Sequence, residues 1–244
     1  MIPKVPTLRY ALYFSPAENH PLTKAAAHWL GRDAFTGETS PTPDVESLAG
    51  DTVRELTADP RRYGFHATLK APFELHPDRT EAELIAAFEH FAAKTPAFDI
   101  PNVIVGQIGR FFAIVPDTVY PELQRFAARV VEDFEPFRAP LSEADIARRK
   151  PETLSAAHRA NLDRWGYPHV MDEFRFHMTL TGKVPPEYQP AMRQELDRRF
   201  TAFANAPLTV DGLALFVEAE RGAPFIVHRW LPLGSASENR KIAS

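Results

Sequence analysis

The sequence predicts an α+β fold: two pseudo-symmetric antiparallel-sheet lobes, flanked by helices, around a central cleft, with a helical insertion. Three observations carry this. Tyr63-Gly64-Phe65-His66-Ala67-Thr68-Leu69-Lys70 and Phe174-Arg175-Phe176-His177-Met178-Thr179-Leu180-Thr181 share the pattern Phe-His-x-Thr-Leu. A helix and a strand pair then follow each motif strand, with the histidines 111 residues apart. Finally, a helical stretch at about residues 137–168 precedes the second copy and has no twin before the first. With 9 His and 18 Phe in 244 residues, chance alone predicts about 0.02 such motifs, so two copies are a signal.

Leu8–Phe14 alternates as a strand, with Leu8, Tyr10, Leu12 and Phe14 on one face and Arg9 and Tyr13 on the other. Pro21–Leu30 reads as a helix stopped by Gly31. Residues 31–50, rich in Gly, Pro, Ser and Thr, read as a loop. The first motif strand follows. Strand alternation puts His66, Thr68 and Lys70 on one face and Phe65, Ala67 and Leu69 on the other. Thr80-Glu81-Ala82-Glu83 is a capping box ahead of Leu84, Phe88 and Phe91 at helical spacing. Phe98–Ile108 and Arg110–Val115 read as strands turning at Gly109. Residues 117–134 form an amphipathic helix through Val119, Leu123, Phe126 and Val130.

In the insertion, Ser142-Glu143-Ala144-Asp145 is a second capping box, and a helix from about Glu152 to Trp165 stops at Gly166. The second motif strand exposes His177, Thr179 and Thr181. Pro185-Pro186-Glu187 opens the next helix, and strands are expected over 208–218 and 224–231. Residues 1–233 are expected to form a single bilobal domain, with a polar tail over 234–244.

A net charge of −4 and a pI of about 6.1 provide no basic field for extended nucleic acid. Zero cysteines exclude disulfides and thiolate metal sites. The first six residues lack a signal-peptide core, and no apolar run reaches membrane-spanning length. A cytoplasmic protein is expected, and the oligomeric state is not legible.

Two histidines across a cleft suit general acid–base chemistry. One, neutral, takes a proton from water while the other, protonated, donates to a leaving oxygen. The Thr68 and Thr179 hydroxyls can donate to phosphoryl oxygens, and Lys70 would neutralise developing charge. His66, His177, Thr68 and Thr179 are therefore the candidate catalytic set. Tyr13 and Tyr167 are candidates to stack on or bond to a sugar, and Tyr63 and Thr181 are counted with the substrate contacts. The remaining seven histidines, His158 and His169 among them, lack the flanking pattern and are assigned no role. No Asp or Glu sits at ligand spacing beside either motif, so neither metal nor cofactor is expected.

The doubled motif resembles the two-histidine (2H) phosphoesterase superfamily. Arg9–Phe14, Trp29–Asp33, Tyr63–Phe73, Phe137–Leu141 and Trp165–Pro168 look like its branch associated with carbon–phosphorus lyase operons for phosphonate use. The resemblance implies a bilobal 2H fold in which His66 and His177 are catalytic and the threonines hold phosphate. It also implies a place near the site for Arg138, Arg148 and Arg149. The implied activity is metal-independent opening of a small cyclic phosphate, with 5-phosphoribosyl 1,2-cyclic phosphate giving ribose 1,5-bisphosphate. The partner is a small phosphorylated sugar or nucleotide. A 2′,3′-cyclic phosphodiesterase that processes RNA ends, and a non-catalytic phosphate- or RNA-binding protein on the same scaffold, remain alternatives.

Overall fold

The computed structural model describes residues 8–234; the extreme N-terminus and residues 235–244 of the expected tail lie outside them. Eight strands form β1 (Arg9–Phe14), β2 (Ala67–Glu74), β3 (Phe98–Ile108), β4 (Phe111–Pro116), β5 (Met178–Thr179), β6 (Ala206–Val210), β7 (Gly212–Glu218) and β8 (Ile226–Pro232). Eight helices are α1 (Pro21–Leu30), α2 (Gly50–Leu56), α3 (Ala58–Tyr63), α4 (Glu81–Lys94), α5 (Pro121–Asp133), α6 (Glu143–Arg148), α7 (Ala156–Trp165) and α8 (Gln189–Phe200).

All eight strands lie in one antiparallel sheet, ordered β6-β3-β4-β5-β2-β1-β7-β8. It divides into two four-stranded halves, β6-β3-β4-β5 and β2-β1-β7-β8. They meet edge to edge where β5 pairs β2, and the two motifs supply that central seam. The halves are not one repeat each. The strand pair that follows the first motif, β3-β4, joins the half containing the second motif. The strands β7 and β8 that follow the second motif join the half containing the first. The single strand expected over 208–218 breaks at Asp211. Its first part, β6, pairs β3 at one edge, and its second, β7, pairs β1 in the other half.

The core forms between sheet and helices from Tyr10, Leu12 and Phe14, the motif residues Phe65, Ala67, Leu69, Phe176, Met178 and Leu180, and the helical Leu84, Phe88, Phe126, Met192 and Leu196. Apolar burial of this kind is the main favourable contribution to folding. Thr80 and Glu83 close the capping box of α4, and Gly31 ends α1 at φ 73°, both at the expected places. Two features were not read from the sequence. Residues 50–63 form two short helices, and α5 starts only at Pro121, so Val119 is 70% exposed rather than on the buried face.

One helix end braces the second motif and the segment that leads into the first. Trp29, buried at the end of α1, donates its indole N–H to the Leu180 carbonyl at 2.8 Å. Arg32, just beyond, donates to the carbonyls of Arg61, Arg62 and Phe225.

Candidate active site

The seam register defines the site. Ala67 pairs Met178 in antiparallel sense. Stepping one residue either way sets Thr68 across from His177 and His66 across from Thr179. Since Ala67 and Met178 are fully buried, alternation turns these four side chains to the opposite face. The histidine of each motif therefore stands beside the threonine of the other.

Both imidazoles are held in the same way. His66 Nδ1 lies 2.9 Å from the Gly64 carbonyl, and His177 Nδ1 lies 2.7 Å from the Arg175 carbonyl, in each case two residues upstream. A carbonyl only accepts, so each Nδ1 carries the proton, and Nε2 is left as the lone-pair nitrogen of the neutral ring. His66 Nε2 lies 3.2 Å from the Thr68 hydroxyl. Gly64 makes the first arrangement possible: its φ is +79°, and a Cβ there would fall 2.4 Å from the Ala34 Cβ.

The surroundings differ. His66 stacks on Tyr13 with ring centroids 3.8 Å apart and planes at 21°. Burial, opposed by the Gly64 hydrogen bond and assisted by the charge of His177, pulls its pKa down to about 4. Burial also lowers the His177 pKa, against the Arg175 hydrogen bond. His177 faces Phe111 at 5.6 Å across a cavity of about 500 Å³ that Thr68, Tyr167, His158 and His169 also line. A second cavity, of about 240 Å³, holds His66, Thr68 and Thr179 with Arg9, Tyr13, Tyr63, Arg149 and Tyr167. Thr68 and Tyr167 are common to both cavities. Burial raises the pKa of Tyr13 and of Tyr167 above the ordinary phenol value, so both are neutral hydroxyls. Among the described residues no three His, Asp or Glu side chains converge as a metal site requires, and no helix is long and apolar enough to cross a membrane.

Tyr13, Tyr63, Tyr167 and Arg149 line the smaller cavity. Lys70, Thr181 and Arg138 do not. The β1–β2 register slips between Leu12 and Tyr13: Tyr13 faces Thr68, but Leu12 faces Lys70. Leu69 is the extra residue of a bulge, and a bulge reverses the alternation beyond it. Lys70 therefore turns to the core face, 3% exposed, where it donates to Glu135 at 2.7 Å and the Val131 carbonyl at 3.1 Å. Thr181 is fully buried. Its hydroxyl accepts from the Phe112 amide and donates to the Gly182 carbonyl, so it fastens the strand end. Arg138 is spent on Glu135 and the Ala139 and Arg164 carbonyls, beneath Gly166. Arg148 pairs with Asp145 and lines a cavity one step removed from the histidines.

Sequence reasoning missed four residues that the structure brings in. Arg9 lines the cleft from β1; its alternation with Tyr13 was the available signal. Arg62 sits beside Tyr63 at the end of α3. His158 and His169 reach the larger cavity, and no sequence pattern marks them.

The model of a family described as "Protein of unknown function (DUF1045)" matches residues 68–226. Two proteins named "Ribose 1,5-bisphosphate phosphokinase PhnN" are similar. That of Janthinobacterium sp. (strain Marseille) is 35% identical over 96% of this chain and 52% of its own length. That of Laribacter hongkongensis (strain HLHK9) is 31% identical over 96% and 54%. The chain thus spans about half the length of the curated relatives it matches. Among solved structures, E. coli LigT complexed with 3′-AMP overlaps 93% of this chain and 98% of its own at 13% identity and a TM-score of 0.41. A protein described as a phosphoesterase does so over 93% and 99% at 14% identity and a TM-score of 0.40. The two curated relatives are named for ribose 1,5-bisphosphate, the compound that the resemblance drawn from the motifs implies as product. Since the family match takes in well over half of the chain, the protein belongs to the DUF1045 family.

Proposed function

We propose that this protein is a phosphoesterase of phosphonate metabolism that opens a small cyclic phosphodiester by general acid–base catalysis between His66 and His177. The observation that carries the reading is the doubled arrangement at the seam: two imidazoles, each with Nδ1 pinned by a carbonyl two residues upstream, each beside the other motif's threonine.

The reaction balances as water plus cyclic diester giving a phosphate monoester and a hydroxyl. One imidazole Nε2 takes a proton from water as its oxygen bonds to phosphorus. The other, as imidazolium, gives its proton to the ring oxygen whose bond to phosphorus breaks. In-line displacement needs the two on opposite sides of phosphorus, and the mechanism assigns one side to each motif's histidine. Thr68 and Thr179 hydroxyls donate to the non-bridging oxygens. His66, the more strongly depressed of the pair, enters as the base. His177 is the acid, and an anionic phosphodiester beside it favours its charged form. The two rings then exchange protons with solvent.

The substrate we assign is 5-phosphoribosyl 1,2-cyclic phosphate, whose opening yields ribose 1,5-bisphosphate. What supports it is the relatives' name: that product is the compound their phosphokinase activity would consume. Those proteins carry about as much chain again beyond the match, and this sequence contains no G-x-x-x-x-G-K-[ST] run to cradle a nucleotide triphosphate. A chain producing the kinase's substrate, joined in one polypeptide to the kinase, accounts for both facts.

Phosphorus NMR of 5-phosphoribosyl 1,2-cyclic phosphate with the protein in excess EDTA tests the proposal. Ring opening lost in both His66→Ala and His177→Ala is expected. Opening of 2′,3′-cyclic nucleotides alone would move the assignment to RNA ends. Failure to open either, with or without added metal, would leave a binding protein.

A further inference from the structure

The cleft continues past the histidines. Arg9, Tyr63 and Arg149 line the smaller histidine cavity and also a neighbouring one of about 340 Å³, whose other walls include Arg62, Arg148 and Arg221. Five guanidiniums gather round this basin. Three carboxylates answer them. Fully buried Glu218 accepts from Arg9, from Arg62 and from the Gly222 amide. Asp145 serves both Arg148 and Arg221, and Glu74 shares Arg221. Two positive charges are left over, in a chain whose net charge is −4.

Arg149 is the clearest member of that surplus. No carboxylate lies within ion-pair range of it among the described residues; its guanidinium lies over the Tyr167 ring at 4.7 Å. Stacking on an aromatic face holds the plane of the fork while its edge N–H groups stay free to donate. Arg62 lies over Tyr63 in the same way at 4.1 Å. Like charges lining one basin repel, and a dianion between them relieves the repulsion through charge-assisted, two-pronged hydrogen bonds.

We propose that this basin binds a phosphate monoester carried by the same small molecule whose cyclic phosphate sits between His66 and His177. The assignment rests on the cyclic-phosphate reading of the histidines and gives that substrate's terminal phosphate its own site. The ligand is a small sugar with two phosphoryl groups, one cyclic and one terminal, on either side of the wall formed by Arg9, Tyr63 and Arg149. Cyclic nucleotides without the second phosphate leave the surplus charge unanswered and are poor substrates.

Calorimetry with the intact protein tests this separately from catalysis, using ribose 5-phosphate, ribose and inorganic phosphate as probes. Ribose 5-phosphate should bind, ribose should not, and Arg149→Met and Arg62→Gln should each weaken binding about tenfold, the loss expected for one charge-assisted contact. Arg149→Met removes no carboxylate partner, so its fold is preserved even if Arg62→Gln disturbs Glu218. In turnover, the ratio of kcat/KM for ribose 1,2-cyclic phosphate with and without the 5-phosphate should fall in both variants, through KM. Ribose 5-phosphate that fails to bind, or binds the variants as well as the parent, overturns the proposal. Inorganic phosphate that binds as tightly and loses as much in the variants makes the basin a free-anion site and overturns its assignment to substrate. Binding that behaves as stated in a protein that opens no cyclic phosphate sustains the basin and removes the hydrolytic reading alone.

Discussion

The two histidine arms hold their imidazoles alike and differ in nearly everything around them. In both, Nδ1 is fastened to a carbonyl two residues back and the flanking apolar residues enter the core. Behind His66, however, stand Tyr13, a positive-φ glycine and a strand with a bulge. The second motif is regular strand for only two residues, and His177 opens on a wide cavity with Phe111, His158 and His169. Within that cavity His158 faces His169 at 4.9 Å and Glu173 at 3.3 Å. The repeated chemistry constrains the imidazole and the hydroxyl beside it. The walls are free to diverge, one toward arginines and the other toward aromatic and imidazole side chains.

That contrast can be broken most directly at the shared element. His66→Ala and His177→Ala should each lower kcat by about 10²–10⁴-fold, and the double variant by little more than either, since the pair acts as a unit. Steady-state rates on one substrate check this; equal additive losses would mean the arms act independently. Gly64→Ala probes the support peculiar to the first arm. With φ at +79° and Ala34 in the way, it should cost about 2 kcal/mol or more of stability, read by urea unfolding, and lower kcat by displacing the carbonyl that orients His66.

Lys70→Met tests the reversed face. It removes a buried ion pair while Glu135 keeps Arg138, so stability should drop by about 1–3 kcal/mol with kcat within about twofold of the parent. A large loss of turnover at normal stability would put Lys70 back in the cleft. The pH profile carries the smallest effect. The acid must hold its proton, and burial places the His177 pKa below the ordinary 6.5. In the free protein kcat/KM should therefore peak on the acid side of neutrality and already be falling before pH reaches 6.5. The same depressions act on folding with the opposite preference. Imidazoles that take up protons more readily when unfolded favour the folded state above pH 6.5 and weaken it as pH falls toward 4, and His66→Asn should flatten that slope in unfolding experiments.

Where the chain keeps to one period, its structure was readable: α1, α4, β3 and the doubled motif fall where alternation, caps and glycine stops put them. The face shared by the two motif histidines and two motif threonines was legible because their two-residue spacing lies short of the bulge. Lys70 was misplaced because a bulge is a register property of two strands, and nothing in β2 by itself announces it. Thr181 was misplaced because a threonine reads the same whether its hydroxyl meets substrate or, as here, a neighbouring strand's amide. Arg138 was carried by resemblance, and Glu135, three residues earlier on the same turn, claims it. The arginine basin draws on residues 9, 62, 148, 149 and 221, a set no local pattern could collect. The exchange of strand pairs between halves was equally hidden, since the order of elements in the chain is the same with or without it.

The seam has a consequence for how the chain reaches this state. Its pairing joins residues 111 positions apart, and Trp29 reaches Leu180 across 151. Contacts of such sequence separation bear the full loop-closure entropy before they return any stabilisation, and they slow folding. Hairpins such as β3-β4 and β7-β8 can form early from local contacts. The histidines meet only when the chain closes on itself across its middle. Closure of the seam should therefore trail the recovery of secondary structure during refolding, and in a nascent chain the two histidines cannot meet until residues beyond Leu180 have emerged and docked against α1.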